Sequence, residues 1–136
     1  MLAGGAGIVA LAAVNARIQR QAAEPDDSAL GGQSNIYDWR EGSIVYKTAG
    51  EDRGGVPVVL IHSIGAGISS FMWRKNFDVL ARDFRVYAPD LLGFGFSDKP
   101  AGVSFSADLY VDLVADFISD VAGSPVNLIA ASLGAA

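Results

Sequence analysis

The final strand-like stretch of the chain leads into a serine with the spacing of a catalytic nucleophile. The apolar run at residues 126–131 ends before Ser132, with Ala130 two residues before this serine and Gly134 two residues after it. Small residues at both positions let a strand and a following helix close around a strained turn, which holds the hydroxyl out of the sheet. The pattern indicates nucleophilic attack on an acyl carbon. Taken alone, it also fits a plain strand end followed by a glycine turn.

Two further polar residues follow predicted strands. His62, the single histidine, comes directly after the β-branched run at 56–61 and opens the glycine-rich loop 62–67. Asp90 stands at the end of a strand predicted at 84–88 and opens the loop 90–100 (DLLGFGFSDKP). Ligands in open α/β sheets bind beyond the carboxyl ends of the strands. We therefore expect His62, Asp90 and Ser132 to converge at one edge of a sheet.

The predicted elements alternate along the chain. Alternation of this kind predicts an α/β fold, with a mostly parallel central sheet, flanking helices and right-handed crossovers. In order, the elements are a strand pair within residues 36–50 that turns at Glu41-Gly42, a strand at 56–61, a helix capped by Ser69 or Ser70, a strand at 84–88, a helix from a cap at Ser106 to about Ala122, and a last strand at 126–131.

The second predicted helix carries aspartates at every fourth position, namely Asp108, Asp112, Asp116 and Asp120. Like charges at this spacing repel one another weakly. The stripe could hold a metal or a partner, but the base rate for exposed charge favours a solvated outer face.

Composition restricts the function classes. The chain has 136 residues, 51% of them hydrophobic and 18% charged, with a formal net charge of −5 and no cysteine. This composition fits a folded domain and excludes a disulfide framework, a thiolate metal site and a cysteine nucleophile. Nucleic-acid binding is not expected, because no basic run exists.

The chain divides into three parts. Residues 1–20 form a hydrophobic segment, in which 2–16 are uncharged and Arg17 and Arg20 follow. Residues 21–35 are a polar linker, and 36–136 are the main domain.

As a helix, the segment 2–16 would span about 22 Å, less than the ~30 Å hydrocarbon core of a bilayer. A short membrane anchor, the end of a longer anchor and a soluble Ala-rich helix all remain open. An anchor followed by arginines would leave the domain cytoplasmic, and a soluble helix would also fit a cytoplasmic protein. An anchor predicts that deleting residues 1–20 releases the protein from membranes.

The three motifs together resemble an α/β-hydrolase-fold protein of the serine-nucleophile type. They are the loop 62–67 (HSIGAG), the loop 90–100 and the segment 130–134 (AASLG), and the resemblance extends from about residue 36 to the last residue. The loop after Asp90, at this distance before the serine, is the most specific of them.

The resemblance implies roles for individual residues. Ser132 matches the nucleophile, and the backbone N–H groups of Leu133 and Ile64 match the two oxyanion donors. His62 matches a residue that shapes the oxyanion loop, and not the catalytic base. The loop residues Asp90 and Asp98 likewise match structural positions near the site, together with Gly93 and Gly95.

Two positions depart from the family pattern. Ser63 stands where the family usually has glycine, and Ala130 replaces the first glycine of the nucleophile turn. A serine at 132 also argues against halide displacement or epoxide opening through an ester intermediate, because relatives with those activities need an aspartate there.

The family order of serine, acid and histidine leaves the acid and histidine unaccounted for, because neither residue type follows Ser132. We therefore expect this chain to be the front part of a longer protein. The chain would stop just after the nucleophile turn and would be inactive alone.

The implied activity is esterase- or lipase-like hydrolysis of a small-molecule ester or acyl substrate, without a cofactor or metal. Two alternatives remain: a non-catalytic scaffold or receptor of the same fold, and a dinucleotide-binding fold built on Gly65, Gly67 and Asp90.

Overall fold

Five strands form one mixed sheet in the computed structural model, which describes residues 27–123 and 125–135. The predicted hydrophobic segment 1–20 and the first part of the linker, 21–26, lie outside the described residues. The strands lie side by side in the order β1-β2-β4-β3-β5. Their bounds are β1 Gln33–Trp39, β2 Gly42–Ala49, β3 Val58–Ile61, β4 Val86–Pro89 and β5 Asn127–Ala130.

The expectation of a mostly parallel sheet was wrong, because half of the strand pairs are antiparallel. β1 pairs with β2 and β2 pairs with β4 in antiparallel register. Only Arg40 and Glu41 separate β1 from β2, and so short a connection can join antiparallel strands only. β1 also begins at Gln33, within the stretch predicted to be linker.

The other half of the sheet is parallel and contains the most deeply buried strand. β3 pairs with both β4 and β5 in parallel register. All four residues of β3 are buried, as the continuous apolar run predicted. β4 is also buried throughout, whereas β5 is mostly exposed because it lies at the edge of the sheet.

The first helical layer is more broken than predicted. Ser69 caps it, accepting a hydrogen bond from the Phe71 amide, but the chain forms a 3₁₀ turn, Ser70–Trp73, followed by a short helix, α1 (Phe77–Leu80). The turn has i→i−3 bonds such as Met72 N to Ser69 O at 3.1 Å. This layer covers one face of the sheet around the buried Phe77.

The second helix covers the opposite face. α2 (Ala107–Phe117) begins at the predicted Ser106 cap, whose hydroxyl accepts from Leu109 N, and continues as a π-helical segment over Ile118–Ala122. Its Leu113 and Phe117 side chains are almost fully buried among Ile44, Ile61 and Leu91.

The aspartate stripe of α2 contacts strand β1. Asp112 and Asp116 form ion pairs with Arg40 at 2.7 and 3.1 Å. Asp120 accepts a hydrogen bond from the Tyr37 hydroxyl at 2.6 Å. Partial burial and this hydrogen bond raise the pKa of Tyr37 to about 12, so its hydroxyl remains a donor at neutral pH. Three stripe residues therefore hold α2 against β1. Residues 27–123 and 125–135 contain no group of three or more His, Cys, Asp or Glu side chains arranged to hold a metal ion.

A short 3₁₀ turn, Asp27–Leu30, leads into β1. Leu30 packs into the core around Phe77, and Asp27 forms an ion pair with the buried Lys47 at 3.1 Å. Within the part of the chain that the structure describes, no helix has the length and apolar character needed to span a bilayer.

Candidate active site

The carboxyl ends of β3, β4 and β5 bring the three predicted site stretches together. Ile61 in β3 lies opposite Ala130 in β5, and the Ala131 amide donates to Ile61 O at 3.1 Å. The residues that follow, His62 and Ser132, therefore leave adjacent strands at the same edge. Leu91, directly after Asp90, donates its amide to His62 Nε2 at 2.9 Å. The convergence expected from the strand order is present.

Ser132 occupies a strained and exposed turn. It has φ +51° and is the only non-glycine residue with positive φ among the described residues. Such a backbone conformation is uncommon for a residue with a Cβ and often marks a functional constraint. Ser132 begins the 3₁₀ turn Ser132–Ala135 directly beyond β5, and its side chain is exposed. The strand and the turn of the geometry expected for a nucleophile are therefore present, as β5 and the turn Ser132–Ala135.

Gly134 is required by a close backbone approach. A Cβ built on it would overlap the carbonyl oxygen of His62 and approach Ile61 Cγ2 at 3.3 Å. The Gly134 amide also donates to Ala131 O at 2.9 Å, which closes the turn under Ser132. The small residue two positions after the serine thus lets the turn pack on the loop after β3, as the spacing indicated.

The two predicted oxyanion donors line the same side of the structure. Ile64 and Leu133 both border one open cleft. The hydrogen bonds found within residues 27–123 and 125–135 use neither the Ile64 amide nor the Leu133 amide. The neighbouring Ser63 amide contacts Met72 Sδ at 3.3 Å, a contact that the sequence did not suggest.

His62 is buried and both of its ring nitrogens have partners. Nδ1 lies 2.7 Å from Ser63 O, and Nε2 lies 2.9 Å from the Leu91 amide. A carbonyl oxygen can only accept and an amide can only donate, so these partners fix the neutral tautomer with the proton on Nδ1. The ring also packs edge to face on Phe94, with centroids 5.3 Å apart. These contacts give His62 a role in connecting the loops after β3 and β4.

The burial of His62 makes stability depend on pH. Burial lowers the pKa of His62 below its usual 6.5, while the Ser63 carbonyl and the Asp90 charge act more weakly in the opposite direction. In the unfolded chain this histidine therefore takes up a proton at higher pH than in the folded chain. The corresponding stability is present above about pH 6.5 and is lost as the pH falls through the lower, folded-state pKa.

We expect the free energy of unfolding of the wild type to decrease between about pH 7 and about pH 5 more than that of His62→Gln, which has no titrating ring. Urea unfolding at each pH measures the difference. The glutamine can still accept from the Leu91 amide, so the comparison isolates the titration. Parallel pH profiles for the two proteins would contradict the proposed neutral, buried state.

Asp90 is buried and holds two loops through backbone amides. Its Oδ1 accepts from Ser70 N at 2.7 Å, and its Oδ2 accepts from Phe96 N at 2.9 Å. Only 2% of the residue is exposed. The carboxylate thus joins the start of the first helical layer to the loop after β4. Both oxygens are engaged and the residue is buried, so the carboxylate is not presented to a ribose.

The loop after Asp90 owes its shape to two glycines and to the side chains of Ser97 and Asp98. Gly93 and Gly95 have φ +89° and +47°, and a Cβ on Gly95 would overlap the Asp90 carboxylate. Ser97 Oγ donates to Asp90 O and accepts from Val45 N, and Asp98 Oδ2 accepts from Ser43 N at 2.8 Å. The loop is therefore joined to β2 as well as to the site.

An open cleft of about 790 Å³ lies between α2 and the end of β5. Val111 and Ala115 of α2 form part of one wall, and Leu128 and Leu133 border the other. Leu128 and Leu133 are 50% and 61% exposed, and the outer edge of β5 pairs with no other described strand. The volume therefore reflects an uncovered sheet edge and not a walled substrate site.

Comparison with known proteins establishes the family. The family model described as "alpha/beta hydrolase fold" matches residues 56–136. The chain belongs to the α/β-hydrolase-fold family. This assignment confirms the resemblance seen in the sequence motifs.

The related proteins are named as enzymes. The chain is 35% identical over 81 residues to 2-hydroxymuconate semialdehyde hydrolase of Pseudomonas sp. (strain CF600), covering 59% of this chain and 29% of that protein. It is 33% identical over 94 residues to haloalkane dehalogenase 2 of Mycobacterium tuberculosis (strain ATCC 25618 / H37Rv), covering 69% of this chain and 31% of that protein. The chain thus spans less than a third of the length of either relative.

Solved structures agree on the fold. A meta-cleavage product hydrolase from Pseudomonas fluorescens IP01 superposes with a TM-score of 0.60 at 31% identity, over 71% of this chain and 34% of that one. A membrane phospholipase A, described as a bacterial virulence factor, superposes with a TM-score of 0.69 at 26% identity, over 94% of this chain and 43% of that one.

Proposed function

We propose that this chain supplies the nucleophile and the oxyanion donors of a serine hydrolase that cleaves an ester, or a related acyl or C–C bond. The observation that carries the proposal is the backbone of Ser132, an exposed serine with φ +51° directly after a parallel strand, backed by Gly134 against the carbonyl of His62. A strained turn of this kind presents a hydroxyl at the carboxyl edge of the sheet.

The proposed reaction has two steps. Ser132 Oγ attacks the substrate carbonyl carbon while a base takes its proton, and the carbonyl oxygen becomes an oxyanion that accepts from the Ile64 and Leu133 amides. The bond to the leaving group then breaks, the base returns the proton to that group, and an acyl-enzyme remains. Water, deprotonated by the same base, cleaves the acyl-enzyme, and the base returns that proton to the serine. Each oxyanion donor can contribute about 3 kcal/mol to lowering the barrier.

The base in this scheme is not His62. Its Nδ1 carries a proton that it donates to Ser63 O, and the lone pair of its Nε2 accepts from the Leu91 amide. Neither nitrogen therefore has a free lone pair to take the serine proton. No histidine or carboxylate follows Ser132 in the sequence. The scheme therefore needs a base and an acid partner that the residues after Ser132 in this chain do not supply.

The identity of the nucleophile, and not the relatives, favours carbonyl chemistry over halide or epoxide chemistry, because an epoxide hydrolase is also among the similar structures. A hydrolase of 2-hydroxymuconate semialdehyde and a phospholipase A are among the similar proteins. A haloalkane dehalogenase is also similar. Displacement of halide through an ester intermediate needs a carboxylate nucleophile, and this chain has Ser132 in that position. We therefore propose an acyl substrate.

Two other functions remain as alternatives. A scaffold or receptor of the same fold would retain the turn at Ser132 without using its chemistry. A dinucleotide-binding function is disfavoured, because both oxygens of Asp90, the residue it would need for ribose, accept backbone amides in the interior.

Labelling with a fluorophosphonate probe tests the proposal. We expect the longest reading frame that contains this chain to be labelled at Ser132, and the 136-residue chain alone to remain essentially unlabelled because it lacks a base. A folded product of the full reading frame that resists the probe would favour the scaffold. Saturable binding of NADH, followed by its fluorescence, would favour the dinucleotide function.

A further inference from the structure

We propose that the exposed side of the first helical layer docks on an anionic lipid surface. We call this side the outer face and define it by Phe71, Arg74, Lys75, Asp78, Val79 and Arg82. All six residues are exposed. Ser70 and Phe77 of the same layer are buried, and Trp73 and Leu80 pack against the core around Phe77. These six residues lie on the 3₁₀ turn, on the short helix α1 and in the turns that follow each of them.

The outer face is basic in an acidic protein. It carries three basic side chains and one acidic one, with the exposed Asp83 directly after it, whereas the whole chain has 10 Lys and Arg against 15 Asp and Glu. Among the ion pairs found within residues 27–123 and 125–135, none involves Arg74, Lys75 or Arg82. These charges are thus placed to meet negative charge outside the domain. Basic residues near an anionic bilayer each add to its attraction.

Apolar side chains lie between these basic groups. Phe71 is 43% exposed and Val79 is 53% exposed. The Arg74 guanidinium lies 5.0 Å from the centre of the Phe71 ring in a cation–π contact, so basic and aromatic groups are adjacent on this face. Exposed aromatic and aliphatic groups set among Lys and Arg are typical of surfaces that enter the headgroup region of a membrane.

The chain enters the domain beside the outer face. A Cβ on Gly31 would lie 3.3 Å from Asp78 Oδ1, which places the segment just after the turn Asp27–Leu30 against this layer. The ion pair of Asp27 with the buried Lys47 fixes the entry point. The uncharged stretch 2–16 precedes it by ten residues, a connection that can reach about 35 Å when extended. One membrane could therefore engage both the apolar stretch and the outer face.

Vesicle binding by the product of the longest reading frame that contains this chain tests the proposal. Binding to phosphatidylcholine vesicles measures contributions that do not depend on lipid charge, such as that of residues 2–16. The increase on adding phosphatidylglycerol measures the outer face. We expect Arg74→Gln/Lys75→Gln to reduce that increase about 25-fold, because each basic residue near the surface contributes roughly fivefold.

A matched pair of substitutions provides the control. Arg53→Gln removes one charge from an exposed position outside the outer face and, compared with Arg74→Gln alone, should change the phosphatidylglycerol effect less than twofold. Equal losses in these two single variants would overturn the proposal and indicate a net-charge effect. A wild type without preference for phosphatidylglycerol would also overturn it and leave the outer face to a protein partner. Hydrolysis of a soluble ester is measured separately, so failure of the serine mechanism would not affect this test.

Discussion

Replacing Ser132 with alanine is expected to reduce turnover of a short p-nitrophenyl ester by about four orders of magnitude or more in the product of the longest reading frame that contains this chain. The substitution removes the attacking oxygen but keeps the β5 strand and the Ile64 and Leu133 amides. Only the weak acceleration that an oxyanion hole and substrate binding provide should remain. Initial rates at saturating ester measure the effect on kcat.

Ser119→Ala is the matched control, because Ser119 is exposed on the π-helical segment away from the site. It should leave kcat within about twofold, as surface substitutions away from special features usually have small effects. Circular dichroism of both variants shows whether the fold is retained. Full activity in a folded Ser132→Ala variant would end the assignment of Ser132 as nucleophile.

Gly134→Ala is expected to disrupt the site through a single methyl group. The added Cβ would overlap the carbonyl oxygen of His62, which is backbone and cannot rotate away. Overpacking of this kind typically costs about 1–3 kcal/mol of folding free energy. The displaced turn should also lower kcat by about 100-fold or more, because a shift of about 1 Å in the reacting atoms has effects of that size.

Gly54→Ala is the matched control for Gly134→Ala. Nothing lies within 4 Å of a Cβ built on Gly54, and its backbone does not lie in the left-handed region. The same change of side chain should therefore leave both urea stability and kcat nearly unaltered. If Gly134→Ala were as stable and active as Gly54→Ala, the close approach of the turn to His62 would not be required.

The succession of elements along the chain and the convergence of the site were predictable from local patterns. The apolar run before His62 and the loop after Asp90 are each bounded by sharp changes in residue type, and parallel strands align their carboxyl ends. The cap at Ser106 was equally clear, because a serine preceded an apolar periodicity. These features depend on residues close together in the sequence.

The antiparallel pairing of β2 with β4 was not predicted, because it joins strands that are distant in the sequence. The sequence indicated a strand pair before residue 50, but not that β2 would insert beside β4. Ser97 shows the same limit within the site. Its hydroxyl connects Asp90 O to Val45 N, 52 residues away in sequence from Ser97. The serine belongs to the loop motif after Asp90 that carried the family resemblance, but the motif does not reveal its two backbone partners.

The contacts of His62 could be inferred only in part. Family resemblance indicated a loop-shaping role, but the partners that fix its tautomer are a carbonyl and an amide, Ser63 O and Leu91 N. Backbone groups have no signature in the sequence. The aspartate stripe of α2 was similarly ambiguous until Arg40, Trp39 and Tyr37 were found opposite it.

Trapping the acyl-enzyme tests the central claim most directly. The product of the longest reading frame is mixed with a p-nitrophenyl ester and quenched with acid during turnover. The protein is then digested, and mass spectrometry measures the mass and the fragments of the peptide containing residue 132. The account predicts an added acyl group on Ser132, absent from the Ser132→Ala variant. Steady turnover with Ser132 unmodified, or with the acyl group on another residue, would contradict it.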